Sequence, residues 1–195
     1  MRQADRLMSS VASPSDGRSP AIILVDLRLV LPGLLLAVTT LIFGFGLGAV
    51  FGINEDAVKE RMRESATAVR DTVYHGDEVA IKAVLERSWT YLKRAHLHAG
   101  GLGAASVGVI LILALLPAPR LAQRILSLAL GAGSLGYSVF WLWAGFLAPS
   151  LGSTGRAKET LRWLAMPTSG AVLLATAAVA VLIARALLSG ERRRD

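Results

Sequence analysis

Polar and apolar positions separate along this chain into long blocks rather than alternating. Four blocks are apolar and free of charge, at 29–53, 99–116, 125–147 and 165–184. A helix needs about 20 apolar residues to cross the hydrocarbon of a bilayer, and these blocks meet or nearly meet that length. Lipid offers no hydrogen bonds to a bare backbone, so each block is expected to be a helix. The predicted fold is all-α and integral to a membrane, a bundle of four transmembrane helices.

The polar stretch at 54–94 has a pattern of its own. Val58, Met62, Ala66, Val69 and Val73 recur at three- and four-residue spacing, which predicts an amphipathic helix to about Tyr74. Asn54 is its candidate N-cap, and Glu55 and Asp56 suit the positive end of the helix dipole. His75-Gly76 breaks the pattern and Asp77 can cap a second helix. There Ile81, Leu85, Trp89 and Leu92 form another stripe, which runs without a breaker towards His96. An extramembrane helical hairpin is therefore expected between helices one and two, its second arm continuing into helix two. Eight basic residues balance eight acidic ones over 55–94. The stripes either join the arms to each other or rest on a membrane surface or partner; the acids favour mutual packing, since a lipid-seeking face is usually basic.

Punctuation residues divide the remainder. Pro32 falls in the first turn of helix one, where a missing N–H is harmless. Pro117-Ala118-Pro119 ends helix two, and a turn carrying Arg120 and Arg124 leads into helix three. A Gly- and Ser-containing loop is expected at 149–159, with Pro167 in the first turns of helix four. Residues 1–28 read as a flexible cytoplasmic tail and 189–195 as a basic cytoplasmic one. The 29–53 block is longer than a signal h-region of roughly 7–15 residues, so it is expected to be a retained helix.

Composition adds two exclusions. Charged residues make up only 18% of the 195, and the net charge is +7. With the charges confined to the ends of apolar blocks, the excess of Lys and Arg reads as a cytoplasmic-loop and anionic-headgroup signal, not as a nucleic-acid surface. No cysteine is present, which rules out disulfides, iron–sulfur clusters, thiolate metal sites and c-type haem attachment. Arg2, Arg6, Arg18, Arg28, Arg120, Arg124, Arg185 and the Arg192, Arg193, Arg194 run fall on one side if both termini are inside. The expected location is a bacterial-type inner membrane with a periplasmic hairpin.

Small residues mark close packing. Gly44, Gly48 and Gly52 share one face of helix one, a surface for another helix of this chain or of a partner. Trp89, Tyr91, Trp141, Trp143 and Trp163 all fall near the interface that bears the hairpin, and the opposite interface has neither Trp nor Tyr. An aromatic belt accounts for this; a partner-binding or ligand-binding face would account for its one-sidedness. His96 and His98 lie at the same depth, pointing roughly 200° apart on a helix, so they cannot share one metal ion. Each is either hydrogen-bonded at the interface or a candidate haem ligand with a second partner from elsewhere, such as Met166 at the head of helix four. Lys93 and Arg94 would then meet haem propionates or a quinone carbonyl.

The segment Arg94-Ala95-His96-Leu97-His98, followed by an apolar run containing Gly100, Gly101 and Gly103, resembles the haem-ligand helix of haem-copper oxidase subunit I-like proteins. The likeness covers about 20 of 195 residues. It implies a b-type haem at His96 or His98 and nothing about oxygen reduction, because no other block contains a histidine. No phosphate-binding loop, dinucleotide fingerprint or Ser/His/Asp arrangement is present. The uncharged blocks weigh against an ion-coupled transporter or pump, and against a polar-lined pore. The expected function is a non-catalytic subunit or assembly partner of an inner-membrane complex, with other membrane subunits or a second copy as partner. The other expectation is a small redox protein holding b-type haem or quinone beside His96, His98 and the tryptophans.

Overall fold

The computed structural model describes residues 27–191. The tail readings on residues 1–26 and on Arg192, Arg193 and Arg194 lie outside the described residues. A single 3₁₀ turn, Leu27–Leu29, leads into α1, Leu31–Ile53, with Pro32 in its first turn. Then follow α2 (Glu55–Thr67), α3 (Arg70–Val73), α4 (Glu78–Leu115), α5 (Arg120–Leu151), α6 (Thr154–Thr160) and α7 (Arg162–Glu191). The described residues are helical with no strand. Four of the helices, α1, α4, α5 and α7, are long and apolar enough to cross a membrane.

These four lie side by side with α5 at the centre, touching α1, α4 and α7. Its apolar window is accordingly the most enclosed, 44% buried, whereas that of α7 is only 11% buried. Leu173, Leu174, Leu187 and Leu188 on α7 all project outward. In water so continuous an apolar surface is a liability; in lipid it meets its own kind of solvent.

Glycine sets the spacing between helices. A Cβ placed on Gly33 of α1 would overlap the backbone oxygen of Ser127 on α5, and one on Gly131 would overlap the Gly33 oxygen. Backbones in such contact leave no volume for any side chain. Gly44 meets the α4 backbone at Ala99 and Gly100 in a similar way. Buried polar groups find their partners between and within the helices. The Ser106 and Ser134 hydroxyls bridge α4 and α5 at 2.7 Å, and Ser138 donates to the Ser134 carbonyl. Gln123 Nε2 donates to the carbonyls of Leu113 and Leu116 at the end of α4, beside the backbone bonds these accept from the Leu116 and Ala118 amides.

The structure differs from the sequence pattern in three details. Asn54 makes no side-chain capping bond; it is a one-residue joint that ends α1 and starts α2. The amphipathic helix breaks at Ala68 and Val69 instead of running to Tyr74. The expected loop at 149–159 is mostly helical. Pro149 lies inside α5, which ends on the left-handed Gly152 (φ 65°), and Ser153 caps α6 through the amides of Gly155 and Arg156. Apolar periodicity could not show this, because α6 is too short to express a repeat. Asp77 does cap α4, accepting from the Val79 and Ala80 amides. The residues before it, His75 (φ 53°) and Gly76 (φ 75°), make the left-handed turn that reverses the chain.

The two polar arms rest on each other. Met62 of α2 lies against Phe51 and Leu92, and Ala66 lies with Tyr74 and Ile81. No break separates the second arm from the apolar half of α4, so a boundary at 94/95 falls inside one helix. At 1.5 Å per residue, the 38 residues of α4 extend about 57 Å, well beyond a hydrocarbon thickness of about 30 Å.

Candidate functional site

Residues 91, 94, 98 and 102 recur at helical spacing on α4, so Tyr91, Arg94, His98 and Leu102 form one stripe. Tyr137 and Trp141, four apart on α5, face it, with Phe140 beside them. The rings interlock: Tyr91 meets Trp141 edge-on at 4.9 Å, His98 meets Tyr137 at 5.3 Å, and Phe140 meets Trp141 at 5.1 Å. Tyr91, Ala95, Phe140, Trp141, Ala144 and Leu161 make one buried cluster around this contact.

The outer end of the cluster is cationic. The Arg94 guanidinium lies 5.0 Å from the centre of the Trp141 ring and 5.6 Å from that of Tyr91. Lys158, brought in from α6, lies 6.0 Å from the same Tyr91 ring. The inner end is an open groove of about 200 Å³ lined by His98, Leu102, Tyr137, Ser169, Val172 and Leu173, contributed by α4, α5 and α7. His98 Nδ1 sits 2.8 Å from the Arg94 carbonyl. A carbonyl only accepts, so Nδ1 carries a proton and donates it, and Nε2 is left out of this bond. Trp141 Nε1 is buried without a hydrogen-bond partner among the described residues.

The remaining sequence-predicted residues are not gathered at this place. His96 turns to α1, where its Nδ1 donates to the Gly44 carbonyl at 2.8 Å and its ring edge rests on Gly48. The two histidines thus face different helices, as their spacing predicts. Gly44 and Gly48 are therefore occupied by α4 of the same chain, while Gly52 is exposed with nothing near it. Trp89 belongs to the polar arms, edge-on to Phe51 at 5.4 Å and under Lys59. Trp143 and Trp163 form a separate exposed pair between α5 and α7, 6.3 Å apart. Met166 is exposed on α7, one turn before Ser169, and Lys93 is exposed on α4. Arg94 stacks on rings and makes no ion pair among the described residues. Sequence patterns do not single out Tyr137, Phe140 or Lys158. The spacing of Tyr137 and Trp141 is visible in the sequence, but nothing in it says that α4 carries the matching His98 and Tyr91.

The donor chemistry of both histidines suits an iron ligand, since an Nδ1–H held by a carbonyl presents the Nε2 lone pair. The space does not suit a macrocycle. A Cβ on Gly48 would come within 2.7 Å of the His96 ring, and the groove beside His98 falls below the roughly 300–1,000 Å³ of ordinary ligand pockets. Among the described residues no group of three or more His, Asp and Glu could hold a metal ion.

A second groove, about 410 Å³, lies between α2 and α4. Its walls include Asp56, Lys59, Glu60, Arg63, Glu86 and Trp89, with Met62 and Leu85 at its base. Lys59 pairs with Glu55; Asp56, Glu60, Arg63 and Glu86 make no ion pair among the described residues.

The arms are tied to α5 by one buried hydrogen bond, Tyr74 Oη donating to the Pro149 carbonyl at 2.7 Å. Burial raises the Tyr74 pKa above its ordinary value, because it penalises the phenolate. The folded state then holds this proton more tightly than the unfolded one. Its contribution is complete below about pH 10 and is lost as pH rises through the folded value above that. Tyr74→Phe is expected to cost about 0.5–1.5 kcal/mol at neutral pH and to abolish an alkaline loosening of the arms. Phenolate absorbance and limited proteolysis, followed together against pH, check this; an unchanged alkaline transition in the variant counts against it.

Comparison of the chain with protein-family models, with curated proteins and with solved structures finds no significant match.

Proposed function

We propose that this chain is an integral membrane protein whose work is to hold a partner, as a non-catalytic subunit or assembly partner of an inner-membrane complex. In this reading α1, the second half of α4, α5 and α7 form a transmembrane four-helix bundle. The arms from α2 to the first half of α4 stand outside it as a helical hairpin, on the periplasmic side if both termini are cytoplasmic.

The observation that carries it is the groove between α2 and α4. Aromatic, Met and Arg side chains are enriched where proteins meet, and here Trp89, Met62 and Arg63 lie together under charges that have no ion-pair partner within the described chain. Opposite charges on another subunit would complete them and fix its register. The apolar helices supply the anchor that keeps this surface at the membrane.

Reversing two of the charges, Arg63→Glu with Glu86→Lys, tests the reading. Native gel electrophoresis of mildly solubilised membranes is expected to show the wild-type chain in a larger assembly and the variant released from it. Two differently tagged copies separate self-association from a foreign partner. Migration of the wild type as a single chain, or an assembly that survives the reversal, counts against it.

The redox reading rests on His98 and Tyr137, a ring nitrogen and a hydroxyl beside a groove open to the apolar surface. That suits a quinone better than a haem, because a flat single ring needs less space. The pair of cations above the groove favours a charged head over a neutral one.

A further inference from the structure

Two cations from different helices converge on one aromatic cluster without an acid to balance them. Arg94 of α4 and Lys158 of α6 both lie within 6.0 Å of the centre of the Tyr91 ring. Neither makes an ion pair among the described residues, and Glu159, next to Lys158, pairs with Arg162 instead. Both side chains are exposed, so an anion from outside the described residues can reach them. The Arg94 guanidinium lies over the two rings, and its N–H groups make no hydrogen bond among the described residues.

Directly inward along the same α4 stripe the chemistry changes. His98 offers its second ring nitrogen, Nε2, Tyr137 a hydroxyl that makes no hydrogen bond within the described residues, and Leu102, Val172 and Leu173 an apolar floor. From Arg94 to Leu102 the rise is about 12 Å, enough to pass from a headgroup layer roughly 5–8 Å thick into hydrocarbon. The sequence of groups is cation, hydrogen-bonding belt, apolar groove, which is the sequence of parts in one phospholipid molecule.

We infer that the Arg94–Lys158 pair and the His98–Tyr137 groove below it form a binding site for one anionic phospholipid. Its phosphate lies between the two cations, its glycerol region at His98 and Tyr137, and one acyl chain along Leu102, Val172 and Leu173. A free phosphate would satisfy the cations but leave the groove unused. The inference rests on the membrane placement proposed above and is independent of the partner groove between α2 and α4.

The test uses the full chain in mild neutral detergent, titrated with phosphatidylglycerol or phosphatidylcholine bearing brominated acyl chains, with tryptophan quenching as the readout. Phosphatidylglycerol is expected to reach half-quenching at about 30-fold lower lipid content than phosphatidylcholine, two surface cations supplying the difference. Arg94→Gln with Lys158→Gln brings that ratio to about one. Arg61→Gln with Lys82→Gln, an equal charge change on exposed positions elsewhere, leaves it intact. Equal quenching by the two lipids, or a preference that survives the Arg94/Lys158 change, overturns the site. Release of the lipid by millimolar inorganic phosphate overturns the acyl groove, and release by a short-chain quinone assigns the groove to quinone instead. Quenching by neither lipid overturns the membrane placement itself.

Discussion

Gly33→Ala and Gly131→Ala will each separate α1 from α5. The added methyl group meets backbone, not a movable side chain: the Ser127 carbonyl in the first case and the Gly33 carbonyl in the second. No rotamer change relieves such an overlap, so the helix axes must move apart and give up the contacts among Val30, Ala37 and Leu130. Overpacking ordinarily costs about 1–3 kcal/mol, and a backbone clash belongs at the top of that range. At roughly 2–4 °C per kcal/mol for a chain of this size, thermal unfolding in detergent is expected to fall by about 6–12 °C. Gly46→Ala and Gly52→Ala are the matched controls. Both positions face open space, and alanine is the better helix residue by about 0.5–1 kcal/mol. A Gly33→Ala protein that melts with the controls would mean that α1 does not cross α5 at this distance. The double variant should cost less than the sum of the singles, because either change already removes the contact.

Met62→Ala will free α2 from α4 while the long helices stay together. Met62 is 2% exposed and fills the space between Phe51, Leu92 and the half-buried Leu85 and Trp89. Truncating a buried methionine typically costs about 2–5 kcal/mol. Here the loss falls on a 13-residue helix that has a joint at each end, Asn54 before it and Ala68–Val69 after it. The cheapest response is local opening. Trypsin cleavage at Lys59, Arg61 and Arg63 is therefore expected to accelerate by about 30-fold or more, taking tenfold for each 1.4 kcal/mol. The main thermal transition should barely move. Val79→Ala, at a 79% exposed position, should change neither. If Met62→Ala lowers the main transition and leaves cleavage of α2 unchanged, the arms and the long helices form one cooperative unit instead of two.

Both experiments bear on the line between what a sequence of this kind carries and what it withholds. The apolar blocks announce α1, α5, α7 and the second half of α4, and the polar periodicity announces two arms and the continuity of α4 through His96. These are local properties: a run of apolar residues has one way to satisfy its backbone in lipid, and a cap such as Asp77 acts on amides two and three residues away. Where local signals compete, sequence patterns mislead. Pro149 and the glycines near it read as a loop, yet Pro149 lies in the last turn of α5, where its carbonyl accepts from the Gly152 amide and from the distant Tyr74 hydroxyl. Asn54 has the right side chain for a cap, but it is the single residue between the end of α1 at Ile53 and the start of α2 at Glu55.

The candidate site shows the same division more sharply. His96, His98, Arg94 and the tryptophans stand out by type and by depth along the chain, and the opposed directions of the two histidines follow from helix geometry alone. Their partners do not. That His96 rests on Gly44 and Gly48, that Trp89 belongs to the polar arms, and that Tyr137, Trp141 and Lys158 assemble around Tyr91 and Arg94 depend on the rotation of each helix about its axis. An apolar helix with weak amphipathicity carries little information about that rotation. Glycine contacts between backbones fix it instead, at Gly33 with Gly131 and at Gly44 with Gly100. Sequence by itself determined the four long apolar helices and the two polar arms. Only the tertiary structure decided which faces meet, because that choice rests on close contact between residues far apart in the chain, and no local pattern encodes such a pairing.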